Sequence, residues 1–212
     1  MAEYTLHAFA QSGNCYKVAL ALELAGADWN ACFVDFFNGQ TRTPAYRELN
    51  VMGEAPVLEH RGLRFSQSGV ILDYLAGTLG RFGGNSEDER REILRWILFD
   101  NHKLTSYTAT YRFLRVLAKD PNPHVQDEFR RRAEAAWRVL DTHLAGRSYV
   151  VGERLTIADL SLAGYLFFDD EVGVAWNDAH PNVAAWLARI RGEPGWKHPY
   201  QLLPGHPRPA SS

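Results

Sequence analysis

Cysteine is scarce in this chain. Cys15 and Cys32 are the only two among 212 residues. Two cysteines make neither a disulfide framework nor a metal-ligand set, so no metal is expected. A chain that does without disulfides suits a reducing compartment, and a cytoplasmic location is expected. Long apolar runs are missing too. No stretch approaches the ~20 consecutive apolar residues of a membrane-spanning helix, and Met1-Ala2-Glu3-Tyr4 carries no basic region followed by an apolar block, so no secretory signal is expected. Charge of one sign is also lacking. With 23 basic and 25 acidic side chains the net charge is −2, which argues against nucleic acid or an anionic membrane as a partner.

What is present is an ordinary globular composition, 46% hydrophobic and 23% charged. The length suits two small domains or one larger one. Tyr4 to Phe9 alternates and is rich in β-formers, which predicts a strand. Ala10-Gln11-Ser12-Gly13-Asn14 is a polar turn. From Cys15 onward, Val18, Ala19, Leu22 and Ala25 recur at helical spacing until Gly26 stops the helix. Trp29 to Phe37 reads as a second strand. Strand, helix, strand in ~35 residues is a βαβ unit with parallel pairing and a right-handed crossover. Thr43 and Pro44 look like the N-cap and first position of a short helix ending near Leu49.

Beyond the glycine-rich linker at 81–86 no convincing strand appears. A helix is predicted from Glu87 to about Lys119, broken by Asp120-Pro121-Asn122-Pro123. Others follow from Val125 to Leu144, from Thr156, and from Pro181 to Arg191. The tail, with Pro194, Pro199, Pro204, Pro207 and Pro209, cannot be regular helix and should lie over the surface. The expected organisation is an α/β domain over residues 1–78, a linker at 79–86, and an all-helical domain at 87–212 that carries the tail.

Within the first of these lies the most informative stretch, Asn50 to Leu75. Pro56-Val57-Leu58-Glu59 and Leu63-Arg64-Phe65 flank His60-Arg61-Gly62, a hairpin pattern. Ser66-Gln67-Ser68 then precedes a periodic apolar run, as at a helix start. Ala55, ahead of a proline, is biased toward an extended conformation whose N–H and C=O can take up a ligand strand. The following helix start offers unpaired N–H groups to a carboxylate.

Asn50-Val51-Met52-Gly53-Glu54-Ala55-Pro56-Val57-Leu58, followed by Gln67-Ser68, resembles the glutathione-binding core of the glutathione S-transferases, N-P-x-G-x-V-P-x-L, a turn, then E/Q-S before a helix. It departs at Val51, often proline in the family, and at Ala55, often valine. Leu155-Thr156-Ile157-Ala158-Asp159-Leu160 matches the family's S/T-x-x-D box, and its physics stands alone as a capping box with a hydrophobic staple. The resemblance spans about residues 4–192. It implies an N-terminal α/β thioredoxin-like domain plus an all-α helical domain, a cis peptide bond before Pro56, and a homodimer. It also implies a detoxifying transferase that lowers the thiol pKa of its co-substrate glutathione and conjugates it to an electrophilic small molecule.

The resemblance also carries residue roles. Serine-type members hold their catalytic serine in the turn where this chain has Ser12, whereas tyrosine-type members place a tyrosine where it has Ala8. Apart from the resemblance, Ser12 reads better as a residue that caps a helix or closes a turn. Cys15 is its rival, as the cysteine of relatives that form a mixed disulfide with glutathione, although Asn14 occupies that position; Asn14 is then a second donor to the sulfur or an N-cap. Gln67 and Ser68 would hold the γ-glutamyl carboxylate. Glu54, Ala55 and Pro56 would hold the cysteinyl segment, and Gln40, Arg42 and Asn50 the glycyl end unless they serve only as caps. Asp100 would reach across a dimer to the ligand's amine, or else be a solvated helix carboxylate. Phe9, Tyr107, Tyr111 and Phe167, with Phe113 and Trp176, are candidates for an apolar pocket between the domains, or for core. Arg112 and Arg115 would attract an anionic co-substrate or lie on the surface. Two other functions stay open: a glutathione-dependent disulfide reductase or peroxidase working through Cys15, and a non-catalytic glutathione-binding stress protein.

Overall fold

The computed structural model describes residues 2–118 and 122–207. They group into two compact units, one of residues 2–83 with 193–207 and one of residues 84–192.

The first unit is a four-stranded sheet with helices. Its elements are β1 (Tyr4–Ala8), α1 (Gly13–Ala25), β2 (Trp29–Phe33), α2 (Pro44–Leu49), β3 (Val57–His60), β4 (Leu63–Ser66) and α3 (Ser68–Leu79). The strand order is β2-β1-β3-β4. β1 and β2 are parallel, with Leu6 opposite Ala31, as the βαβ pattern requires. β3 runs antiparallel to β1 with Leu6 opposite Leu58, and β4 antiparallel to β3. Leu6, Leu58, Val18, Leu22, Ile71 and Leu75 are buried together as the core of this unit. Gly26, at φ 69°, ends α1, a conformation that costs glycine little. This is the thioredoxin-like layout.

Two boundaries differ from the sequence reading. β2 stops at Phe33 rather than Phe37, because β1 ends at Ala8 and leaves no ladder partner beyond it. Val34 N–H takes the last available bond, to Ala8 C=O at 2.9 Å, and the chain then turns through Phe36 N–H to Val34 C=O. The proline-rich tail, read as part of the helical domain, groups instead with the first unit over residues 193–207. It includes a single helical turn, Pro199–Leu202. Tyr16 Oη donates to Lys197 C=O at 2.8 Å, and Ala10 N–H to Pro204 C=O at 2.8 Å. Residues 208–212, with Pro209, lie outside the described residues.

The second unit is helical. α4 (Glu87–Phe99) continues through a π-helical segment, Asp100–Leu104, into α5 (Thr105–Arg112) and a second π segment, Phe113–Leu117. The single long helix of the sequence reading is therefore interrupted twice by wider turns, a common feature of functional helices. Lys119 and residues 120–121 lie outside the described residues. α6 (Pro123–Leu144), α7 (Ile157–Ala163), the short α8 (Asp169–Val172) and α9 (Trp176–Ala179), and α10 (Pro181–Arg191) complete it. Among the described residues no helix is long and apolar enough to cross a membrane.

Asp159 organises this unit. Its carboxylate is fully buried and accepts from Val150 N–H (2.8 Å), Thr156 N–H (2.8 Å), Thr156 Oγ1 (2.9 Å) and Trp186 Nε1 (2.9 Å). The capping box predicted at Thr156 is thus closed, and it reaches out to the loop before α7 and to α10. Burial raises the Asp159 pKa against the downward pull of these donors. Asp159→Ala would strand all of them, each at about 1–3 kcal/mol when left unsatisfied. The expected loss is ~3–5 kcal/mol of unfolding free energy, read by denaturant titration; a loss under ~1 kcal/mol would contradict this role.

Candidate active site

The turn Phe9–Ser12 leads from β1 into α1 and is closed by Ser12 N–H to Phe9 C=O at 3.1 Å. Ser12 is the N-cap of α1, and its Oγ accepts from Cys15 N–H at 3.2 Å. A hydroxyl has two lone pairs and one hydrogen, so capping uses a lone pair and leaves the hydrogen to give. The two readings of Ser12 are compatible. Asn14 is the second residue of the helix, so it is not the N-cap. Its Oδ1 instead accepts from Ser68 Oγ at 3.4 Å, which brings the first turns of α1 and α3 together.

The loop before β3 is built from α2. Asn50 Nδ2 and Tyr46 Oη both donate to Glu54 C=O, at 2.8 and 3.2 Å, while Asn50 Oδ1 accepts from Met52 N–H at 3.1 Å. Gly53 sits at φ +65°, and a Cβ there would come within 2.9 Å of Thr41 C=O. The Ala55–Pro56 bond is cis, as the resemblance implies. Among the described residues no backbone group pairs with the Ala55 N–H or C=O. Gln67 takes φ 68°, outside any helical or strand value, and provides no side-chain cap to α3; such backbone conformations in non-glycine residues collect at binding sites. Its Nε2 donates to Glu54 Oε2 at 2.9 Å and contacts Met52 Sδ at 3.1 Å. Asn14, Ser68, Gln67, Glu54 and Asn50 are therefore linked along one surface of the first unit.

Several candidates have other duties. Asp100 is fully buried, with Oδ1 accepting from Thr105 Oγ1 at 2.7 Å and Oδ2 from Ser161 Oγ at 2.6 Å. It is neither a solvated carboxylate nor one free to reach a ligand, because both oxygens are committed inside the helical unit. Asn50 is buried and spends its amide on shaping the loop, which corrects its assignment to the glycyl end. Gln40 opens a 3₁₀ turn and accepts from Asp35 N–H at 2.6 Å. Tyr111 and Phe167 are buried in the helical unit, Tyr111 against Trp137, and are core. Trp176 is buried as well. Tyr107 is half-buried and packs against Phe129. Phe9 is buried under Phe36, ring on ring at 4.8 Å. Arg112 is buried against Glu171, its Nε at 2.8 Å from the carboxylate, and lies over the Phe168 ring; it is not a surface charge. Arg115 caps the end of α8 through Asp170 and Glu171 carbonyls.

Sequence reading missed Tyr46 and Gln11. Tyr46 lies on α2 and Asn50 is the extended residue that caps its C-terminus, and both reach the Glu54 carbonyl. Gln11, in the turn, gave no signal of its own.

Residues 2–77 match the glutathione S-transferase N-terminal domain, and residues 123–189 its C-terminal domain. The chain is 32% identical to a possible glutathione S-transferase from Rhodopseudomonas palustris, over 93% of this chain and 98% of that one, with a TM-score of 0.82. The chain belongs to the glutathione S-transferase family. Ure2p, solved in complex with glutathione, shares the fold at a TM-score of 0.83 and 22% identity, over 92% of this chain and 91% of that one. Elongation factor 1-gamma of Danio rerio is 24% identical over 93% of this chain and 46% of its own length. The chain thus spans about half the length of the elongation factors it matches.

Within this family member Cys15 is fully buried in α1. Burial pushes its thiol up to about 11, against smaller downward pulls from the Ser12 side chain and the Phe9 backbone. At pH 8 on the order of 0.1% would be thiolate, the form that reacts. Iodoacetamide applied to the folded protein at pH 8 is expected to label Cys32, which is half-exposed, and to leave Cys15 untouched until denaturant is added. Peptide mass spectrometry reads this directly, and prompt labelling of folded Cys15 would contradict it.

Proposed function

We propose that this protein is a serine-type glutathione transferase, acting in the cytoplasm as a homodimer. The observation that carries the reading is the Ser12 hydroxyl at the N-terminus of α1, with a hydrogen left to donate, on the same unit as an unpaired Ala55 backbone. Glutathione lies extended along Ala55 and pairs with its N–H and C=O as an added strand. The γ-glutamyl carboxylate sits at the uncapped start of α3, beside Ser68, where N–H groups and the helix dipole favour an anion. The ligand's ammonium is met by Glu54. Gln67 lacks the charge that many relatives have at its position, and Glu54, already within hydrogen-bond reach of Gln67, supplies it; the buried Asp100 cannot.

A free thiol of pKa ~8.5 is only ~3% thiolate at pH 7. Lowering that value by ~2 units corresponds to ~2.7 kcal/mol of preference for the anion, within reach of one hydroxyl donor and a helix N-terminus together. Held and ionised, the sulfur attacks an electrophilic small molecule, the gain coming from orientation and from donors placed ahead of the reaction. Exposed Leu94 and Leu98, one turn apart on α4, supply an apolar strip for a second copy; light scattering should give about twice 24.0 kDa, and a monomer mass would contradict the dimer.

A non-catalytic glutathione-binding protein is the second reading, favoured by the likeness to elongation factor 1-gamma. A disulfide reductase working through Cys15 is disfavoured by the burial of that thiol. The discriminating experiment is ultraviolet titration of bound glutathione alongside calorimetry. Ser12→Ala should lose most thiolate absorbance at pH 7 while affinity changes less than about twofold. Glu54→Gln should do the reverse, weakening binding by roughly tenfold, the size of one lost charged hydrogen bond, with the thiol titration unmoved. Unaltered thiolate absorbance in Ser12→Ala would refute serine-type activation.

A further inference from the structure

Residues 204–206 close on the turn that carries Ser12, and they do so at three points. Ala10 N–H donates to Pro204 C=O at 2.8 Å. The Gln11 side chain is buried and holds both main-chain groups of His206: its Nε2 donates to His206 C=O at 2.7 Å and its Oε1 accepts from His206 N–H at 3.2 Å. The His206 ring then packs edge-on to Phe9, with centroids 6.2 Å apart, and lies beside Phe37 at 4.6 Å. Between the two anchor points Gly205 passes so close that a Cβ would stand 2.7 Å from Ala10 Cβ and 2.8 Å from Gln11 Oε1. Further back, the segment is tied to α1 by Tyr16 Oη on Lys197 C=O.

A side-chain amide donates from one atom and accepts at another, so it can hold both main-chain groups of a single residue. Gln11 thus acts as a two-point bridge between the turn and the tail. The turn's own closure among the described residues is one bond, Ser12 N–H to Phe9 C=O, and Phe9, Ala10, Gln11 and Ser12 are all buried, so the packing and bonds supplied by residues 204–206 are part of what sets its conformation. Displacing a donor by about 1 Å from its reacting partner can cost on the order of 10²-fold in rate. The residues immediately ahead of Ser12 are fixed from outside, by residues nearly two hundred positions later in the chain.

We propose that Gln11 and the segment 204–206 are positioning elements for Ser12, setting the direction in which its hydroxyl is offered to the glutathione sulfur. The proposal rests on the reading of Ser12 as the thiol activator. The contacts of Gln11 and residues 204–206 described above run to Phe9, Ala10 and Phe37 and not to Ala55, Gln67 or Ser68, so their loss is expected to act on the thiol and not on the grip.

The test uses the full chain. Gly205→Val drives a side chain into Ala10, and Gln11→Leu removes the bridge at similar volume. Lys197→Ala, which breaks only the exposed pair with Glu23, is the control. In both test variants the pKa of bound glutathione should rise by about one unit and kcat at pH 7 fall about threefold, with KM and calorimetric affinity for glutathione within about twofold of the parent and Lys197→Ala unchanged. Should Gly205→Val not fold, a chain ending at Leu203 keeps the Tyr16 anchor and serves instead. An unmoved thiol pKa in these variants, beside a lost thiolate in Ser12→Ala, overturns this inference alone, whatever happens to affinity. An unmoved thiol pKa in Ser12→Ala overturns the activation reading and this inference with it.

Discussion

The Glu54 carbonyl, held from two sides by Asn50 Nδ2 and Tyr46 Oη, is the contact on which the rest of the candidate site depends. One donor comes from the short helix α2 and the other from the residue that caps its C-terminus. They fix the peptide just ahead of Ala55, whose N–H and C=O have no backbone partner among the described residues, and the Glu54 side chain meets Gln67. A carbonyl with two donors is spent, which is why the neighbouring residue and not Glu54 itself offers its main chain. Without that anchor the loop between α2 and β3 would be an ordinary mobile connection, and a ligand would have to order it on binding, at ~1–2 kcal/mol per residue.

Two helix starts then face this edge from the same unit. α3 begins at Ser68 with no cap of its own, and α1 begins under Ser12 with a cap that still has a proton to give. The Ser68–Asn14 contact ties the two starts together. The γ-glutamyl carboxylate and a forming thiolate are two of the negative charges a glutathione molecule would bring, and on this account each would find a positive helix end. Cys15, one turn into α1, shares the dipole but not the water, and burial keeps its thiol protonated. Ser12 and Cys15 are both buried; they differ in place, Ser12 standing at the N-cap with a hydroxyl hydrogen to give and Cys15 lying inside the helix.

Features set by close neighbours along the chain are legible from the residues alone. The Thr43-Pro44 start, the Gly26 stop and the Thr156–Asp159 box are local hydrogen-bond arrangements, and each stands where the residues say. The groove stretch is legible through its motif, because Pro56 restricts the backbone by itself and Gly53 admits the φ of +65° that the loop takes. Asp100 is not legible. A carboxylate on an amphipathic helix reads as solvated, and only Thr105 and Ser161, five and sixty-one positions away, reveal it as internal. The end of β2 escapes because strand length is decided by the partner strand, and the Phe33-to-Phe37 run carries similar residues on either side of the stop. The tail escapes for the same reason: prolines forbid a helix but do not say which surface the chain will cover. Gln11 looks like turn filler until His206 arrives.

The central claim is that glutathione binds as an added strand on Ala55, with its sulfur at Ser12. A crystal structure of the protein grown with glutathione tests it most directly. The account predicts main-chain hydrogen bonds from the cysteinyl residue to the Ala55 N–H and C=O, the γ-glutamyl carboxylate at the Ser68 end of α3, and the sulfur within hydrogen-bond distance of Ser12 Oγ. An Ala55 edge left unpaired at saturating glutathione, or a sulfur turned away from Ser12, would contradict it.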